Sequence, residues 1–169
     1  MNVFSEKHKI VNVIVPTASD TFVTGTGVTS DVVNLENYNK CTFILATGAS
    51  AAAVQTITVY AGISEGSCST PIVFKYRTQA AAGVPDAGSD VPTALATATI
   101  AGFPTIVSKA GGMAIIEVDA AVVAAAGTNF DHCALRLKDT PTPLAQLGCV
   151  IAILSEPRYP QAILATAID

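Results

Sequence analysis

Apolar residues in this chain recur in short runs with a period of two, broken at close intervals by glycine, proline, asparagine and serine, a pattern that predicts strands. Residues 56–62 alternate cleanly, with Ile57, Val59 and Ala61 on one face and Thr56, Thr58 and Tyr60 on the other. Residues 72–77 turn Ile72, Phe74 and Tyr76 inward and Lys75 and Arg77 outward, and 131–138 set Cys133, Leu135 and Leu137 against a wet face of His132, Arg136 and Lys138. Residues 10–15, stopped by Pro16, read as the first strand. Residues 41–48, with Cys41, Phe43 and Leu45 in phase, and 113–118 read as two more, and short candidates lie at 21–24, 95–100 and 105–108. The run 148–154 differs, because no polar side chain interrupts it before Ser155 and Pro157 close it. An uninterrupted apolar run of that length predicts a strand buried on both faces, one against the protein's own core and the other left for a partner.

Between the strands, residues 119–126 form the best helix candidate, with Asp119 at an N-cap position and Gly127 at the end, although Val122 and Val123 limit it to a turn or two. Alanine-rich 49–54 reads as a hairpin connection, 34–39 as a turn or single helical turn, and Thr-Pro-Thr-Pro at 140–143 as a stiff connector. Residues 78–104 break the rhythm with Gly83, Pro85, Gly88, Pro92, Gly102 and Pro104, and predict a long irregular loop of the kind that carries function or is ordered by a partner. Together these elements predict an all-β fold: an antiparallel β-sandwich, jelly-roll-like, with one long irregular loop and at most one short helix. The expected organisation is an N-terminal arm at 1–9, a single β-sandwich domain at 10–160 and a C-terminal tail at 161–169.

Composition changes the picture in one respect. Hydrophobic residues make up 50% of the chain, charged residues 13%, and the mean hydropathy is +0.50. Ordinary soluble domains carry about 25% charged residues, so a deficit of this size points to a surface that meets protein, as in an oligomer or shell. The alternative is an excess of alanine, which tolerates exposure. No stretch approaches the ~20 apolar residues of a bilayer-spanning helix, and the start lacks a secretory pattern, so synthesis and folding in a cytoplasm and no membrane partner are expected. Net charge is −4 and the basic residues are scattered apart from Lys7-His8-Lys9, which predicts no nucleic-acid partner.

The chemistry-bearing residues form no reactive constellation in the sequence. Cys41, Cys68, Cys133 and Cys149 have neither C-x-x-C nor zinc-like spacing, and in a reducing compartment they should be free thiols, three on strand faces and Cys68 in a loop. Asp131-His132-Cys133 brings an acid, an imidazole and a thiol together, but neighbouring strand residues point to opposite faces, which separates the histidine from the cysteine. Asp86 and Asp90 flank Gly88 without a calcium-loop pattern, and Gly25-Thr26-Gly27 lacks the rest of a phosphate-binding fingerprint. The expectation is no catalytic residue, no metal and no cofactor. Arg158 and Tyr159, at the exit of the apolar run, are of the residue types that anchor interfaces and are the contact candidates.

The order of features resembles that of small structural proteins of tailed bacteriophages. The residues that carry the resemblance are 34–38 ahead of a Phe43-Ile44-Leu45 strand, Thr58-Val59-Tyr60, Phe74-Lys75-Tyr76-Arg77 before a variable loop, Ile115-Ile116-Glu117-Val118-Asp119, and the apolar strand leading to Arg158-Tyr159. The fit is best to the capsid decoration, or cement, proteins. That resemblance implies a β-rich dimer or trimer seated on the outside of the mature head, bracing the major capsid protein without catalysis. It also implies a capsid-gripping role for the N-terminal arm, with Glu6, Lys7 and Lys9 as contact residues. Two alternatives stay open: another phage structural component, such as a tail or head fibre, and a carbohydrate-binding sandwich. The second is poorly supplied, with no Trp and four Tyr to build aromatic platforms.

Overall fold

Strands whose apolar side chains alternate must pair to satisfy their backbones and stack to hide the apolar face. The computed structural model describes residues 3–16, 27–50, 55–79, 91–104, 112–139, 146–159, 164 and 166–168. Its strands are β1 (Lys9–Ile14), β2 (Val28–Thr29), β3 (Val33–Asn34), β4 (Tyr38–Ser50), β5 (Gln55–Gly62), β6 (Thr70–Ile72), β7 (Phe74–Thr78), β8 (Ala96–Ala98), β9 (Phe103–Pro104), β10 (Met113–Asp119), β11 (His132–Asp139) and β12 (Gln146–Pro157). Helix α1 (Phe4–Lys7) is a single turn, α2 (Ala120–Ala125) follows β10, and Glu65–Ser67 is a 3-10 turn.

Sheet I runs β1-β12-β4-β10-β7-β8 and sheet II runs β2-β11-β5-β6, with β3 added to β11 and β9 to β5. All the pairings are antiparallel. With β3, β7, β8 and β9 taken as additions to the sheets, the remainder in chain order pair first with last (β1 and β12), second with second-last (β2 and β11), third with third-last (β4 and β10) and the middle two together (β5 and β6). A long antiparallel ribbon folded back on itself and rolled into two sheets gives this pairing, which is the jelly roll. The chain is therefore an all-β sandwich of jelly-roll topology. Strands β7 and β8 extend sheet I beyond β10.

The core lies between the sheets. Phe43 and Leu45 of β4, Ile116 of β10 and Val150, Ala152 and Leu154 of β12 meet Ile57 and Val59 of β5 and Leu135 and Leu137 of β11, all buried. Helix α2 tacks onto the same core through buried Ala120 and Val123, which explains two β-branched residues in a helix: packing outweighs propensity. The tail docks as well. Ala167 is buried and its carbonyl accepts a hydrogen bond from the Asn34 amide.

Several expectations change against this fold. The apolar run lies in a longer strand and is not buried on both faces: Val150, Ala152 and Leu154 are fully covered while Cys149, Ile151 and Ile153 are only half-buried, because they project from the outer side of sheet I. His132 is not on a wet face but 6% exposed, and its neighbour in phase, Ala134, is fully buried. The irregular loop resolves in part into strands: β8 bears out the candidate at 95–100, β9 is added beyond it, and a bridge joins Gln79 to Pro92. Gly102 is what lets β9 approach β5. Its φ is +81°, and a Cβ there would stand 2.0 Å from the Ile57 carbonyl oxygen. The helix begins after Asp119 as expected, yet that side chain makes no capping hydrogen bond. The fold also adds the turn α1, where the sequence pattern predicts at most one short helix. Strand candidates 21–24 and 105–108 and the acids Asp86 and Asp90 lie outside the described residues.

Candidate functional site

Residues paired across an antiparallel ladder point to the same face, so the ladder registers read out the outer surface of sheet I row by row. One row is Asn12, Ile151, Ile44, Ile115 and Arg77, in the order β1, β12, β4, β10, β7. The next is Ile10, Ile153, Thr42, Glu117, Lys75 and Thr97. On the other side lies Cys149, Ala46 and Met113. The centre of this surface is apolar. Ile44, Ile115, Ile151 and Ile153 adjoin one another, each half-buried by its neighbours, and the margin carries Ile10 at 51% and Met113 at 37% exposure. No charged side chain enters these central positions.

Charge begins at the flank. Glu117, Lys75 and Arg77 occupy adjacent positions on β10 and β7, and beside them Lys40, Thr42, Thr97, Asp119 and Val122 line a groove of about 220 Å³. Two lysines face two carboxylates there, so the groove has no net sign with which to select a charged ligand. At the end of the sheet Lys40 Nζ donates to Glu156 Oε1 at 2.7 Å, and this bond holds the lysine pKa above its usual value. Both side chains are about half exposed, which makes the pair a weak contributor to stability.

The contact residues expected from sequence sit beside this surface. Lys9 is opposite Leu154 in the β1 and β12 ladder, so α1, which precedes it, lies at the end of the sheet where β12 runs out toward Arg158 and Tyr159. Glu6 and Lys7 are exposed on α1, where the Phe4 and His8 rings stack at 4.1 Å. Lys9 is half-buried within β1, so the arm ends one residue earlier than expected. The Arg158 amide donates to the Asn37 carbonyl at 2.9 Å, which fixes the exit, and Tyr159 is 63% exposed. The two ends of the domain thus converge on one corner of sheet I. The unbroken run 148–154 predicts one face left for a partner, and Ile151 and Ile153 of that face lie on the outer side of sheet I; the part that the sequence does not reveal is that Ile44 and Ile115, from two other strands, extend it.

Reactive chemistry is kept apart. His132 Nδ1 meets Asp131 Oδ1 at 2.5 Å, but Cys133 turns the other way into the core and is fully buried. Burial pushes the Cys41 thiol well above its ordinary pKa, with the nearby Cys133 thiol adding to the effect, and it pushes Cys68 up to about 12. Such thiols are poor nucleophiles near neutrality. Among the described residues no group of three or more His, Cys, Asp or Glu is placed to hold a metal ion, and no helix is long and apolar enough to cross a membrane.

No protein-family model matches the chain, and no curated protein matches it. One solved structure, that of infectious bursal disease virus Gt strain, aligns with 89% of this chain and 37% of its own at 12% identity, with a TM-score of 0.25. This chain therefore spans about a third of the length of that protein, and a likeness at that score carries no argument about function.

Proposed function

We propose that this chain is a non-enzymatic virion structural protein that binds the outer surface of a tailed-phage capsid and stabilises it as a decoration protein. The observation that carries the proposal is the isoleucine face of sheet I, where Ile44, Ile115, Ile151 and Ile153 form a continuous apolar centre without a charge. A contiguous apolar surface of this kind favours burial against another protein, and each Å² removed from water contributes about 25 cal/mol. The low charge content of the whole chain supports the same reading. Jelly rolls recur in viral shells but also in lectins and cupins, so topology supports the role by analogy alone.

The mechanism would be additive. Each copy contributes modest apolar contacts through sheet I, and the corner formed by Glu6, Lys7, Lys9, Arg158 and Tyr159 reaches a neighbouring capsid subunit or a second copy. Repetition over a symmetric shell turns weak single contacts into strong resistance to expansion. The test is the protein content of purified virions. Stoichiometric presence relative to the major capsid protein is expected, and its absence from the particle would contradict the proposal. Labelled electron microscopy separates a decoration role on the head from a tail or head-fibre role.

A further inference from the structure

Two core thiols meet across the sandwich. Cys41, on β4, faces inward between Leu154 of β12 and Val118 of β10, and Cys133, on β11, faces inward between Val33 of β3 and Ala61 of β5. One therefore belongs to sheet I and the other to sheet II. Both are fully buried in the same apolar cluster, and the Cys133 thiol lies within hydrogen-bonding reach of Cys41. Both are free thiols in this structure. Their positions in sequence are about 90 residues apart, so a bond between them would close most of the domain into one loop.

We infer that Cys41 and Cys133 form a latent oxidation site, at which a peroxide-class oxidant closes a disulfide that ties sheet I to sheet II. One cysteine, as thiolate, attacks a peroxide oxygen, breaks the O–O bond and becomes a sulfenic acid while hydroxide leaves. The second sulfur, having lost its proton, attacks the sulfenic sulfur, forms the S–S bond and expels a second hydroxide. The two thiol protons and two hydroxides combine, so two thiols and one hydrogen peroxide yield one disulfide and two waters. Two electrons pass from the sulfur pair to the peroxide. Both thiols are fully buried and burial keeps the Cys41 thiol protonated, which makes the closed form slow to react and puts the rate under the control of transient opening. The site is thus open before or during folding and slow afterwards. Closing so long a loop restricts the unfolded chain and raises the melting temperature by about 5–15 °C.

Cys68 is the natural competitor, since it is half-buried and Cys133 lies close enough to add to the rise in its pKa. The experiment treats the reduced full-length protein with hydrogen peroxide, alkylates the remaining thiols after denaturation, and maps the linked peptides by mass spectrometry without reduction. The expected result is one peptide pair joining Cys41 to Cys133, with a melting temperature that rises by about 5–15 °C and returns on reduction. Cys133→Ala should lose both signals. Cys68→Ser, at a half-buried position outside the core cluster, should keep both. Alkylation of Cys41 and Cys133 after oxidation of the wild type, or a Cys68 to Cys133 link in place of the expected one, would overturn the inference.

Discussion

Ile44 and Ile151 are ladder partners on the outer side of sheet I, each half-buried, while their neighbours Phe43 and Ala152 are partners on the inner side and fully covered. The same two strands therefore serve two apolar surfaces. One is satisfied within the molecule, and the other is only half covered.

This division gives the first prediction. Ile44→Lys or Ile151→Lys should leave the domain folded, at a loss of about 1 kcal/mol or less, because a lysine on a half-buried face can extend its stem along the sheet. Capsid binding should fall by at least tenfold. Phe43→Ala, one residue away and facing inward, should lose about 3–5 kcal/mol of stability by cavity formation. Urea denaturation and capsid co-sedimentation of the three variants separate the faces. Equal stability loss at Ile44 and Phe43 would contradict the assignment.

The N-terminal turn gives the second. Removing residues 1–7 should weaken binding while shifting the melting temperature by less than about 3 °C, since α1 has no buried residue. A deletion that continues through Val11 should unfold or strongly destabilise the domain, because it strips β1 from β12. Melting curves and pull-downs with the two truncations check the boundary between them.

Gly102→Ala gives the third. The left-handed backbone and the 2.0 Å approach to the Ile57 carbonyl leave no room for a methyl group, so a loss of about 2–4 kcal/mol is expected. Gly66→Ala, where a Cβ meets nothing within 4 Å, should be close to neutral. Chemical denaturation of both variants provides the comparison.

Much of this architecture was legible in the residue pattern. The alternation of Ile57, Val59 and Ala61 and of Cys133, Leu135 and Leu137 found two inner strand faces, and these strands do pair with each other in sheet II. The partners of a strand are set by contacts far apart in the chain, such as Phe43 with Ile116 and Ala152, and no local spacing encodes them. Strand β8 falls within the candidate at 95–100, whereas β9, at two residues and ending in Pro104, is too short to announce a period against the surrounding Gly and Pro. His132 looked wet because imidazole usually is, whereas here Asp131 supplies a partner for its ring and allows burial. The outer face of 148–154 was legible as one left for a partner, but its extension through Ile44 and Ile115 was not, because that depends on strand order. A run that is apolar in both phases does not distinguish a second layer of the same molecule from a partner.

Alkaline pH gives the fourth prediction. Burial raises the pKa of Cys41, of Tyr38 and, to about 12, of Cys68 above the unfolded values of 9.0 for cysteine and 10.0 for tyrosine. Because the folded state holds these protons more tightly, stability is fully present below about pH 9 and is lost as pH rises from there toward 12. Melting temperature measured against pH should fall across this window, and Cys68→Ala should flatten the fall. A profile that is flat up to pH 12 would contradict the burial of these groups.

What covers sheet I in the working particle is measured directly by a cryo-EM map of the intact virion. One copy or a small oligomer is expected on the outer capsid surface, with Ile44, Ile115, Ile151 and Ile153 occluded by a neighbouring protein. A virion without the chain, or one in which these four side chains face open solvent, would contradict it.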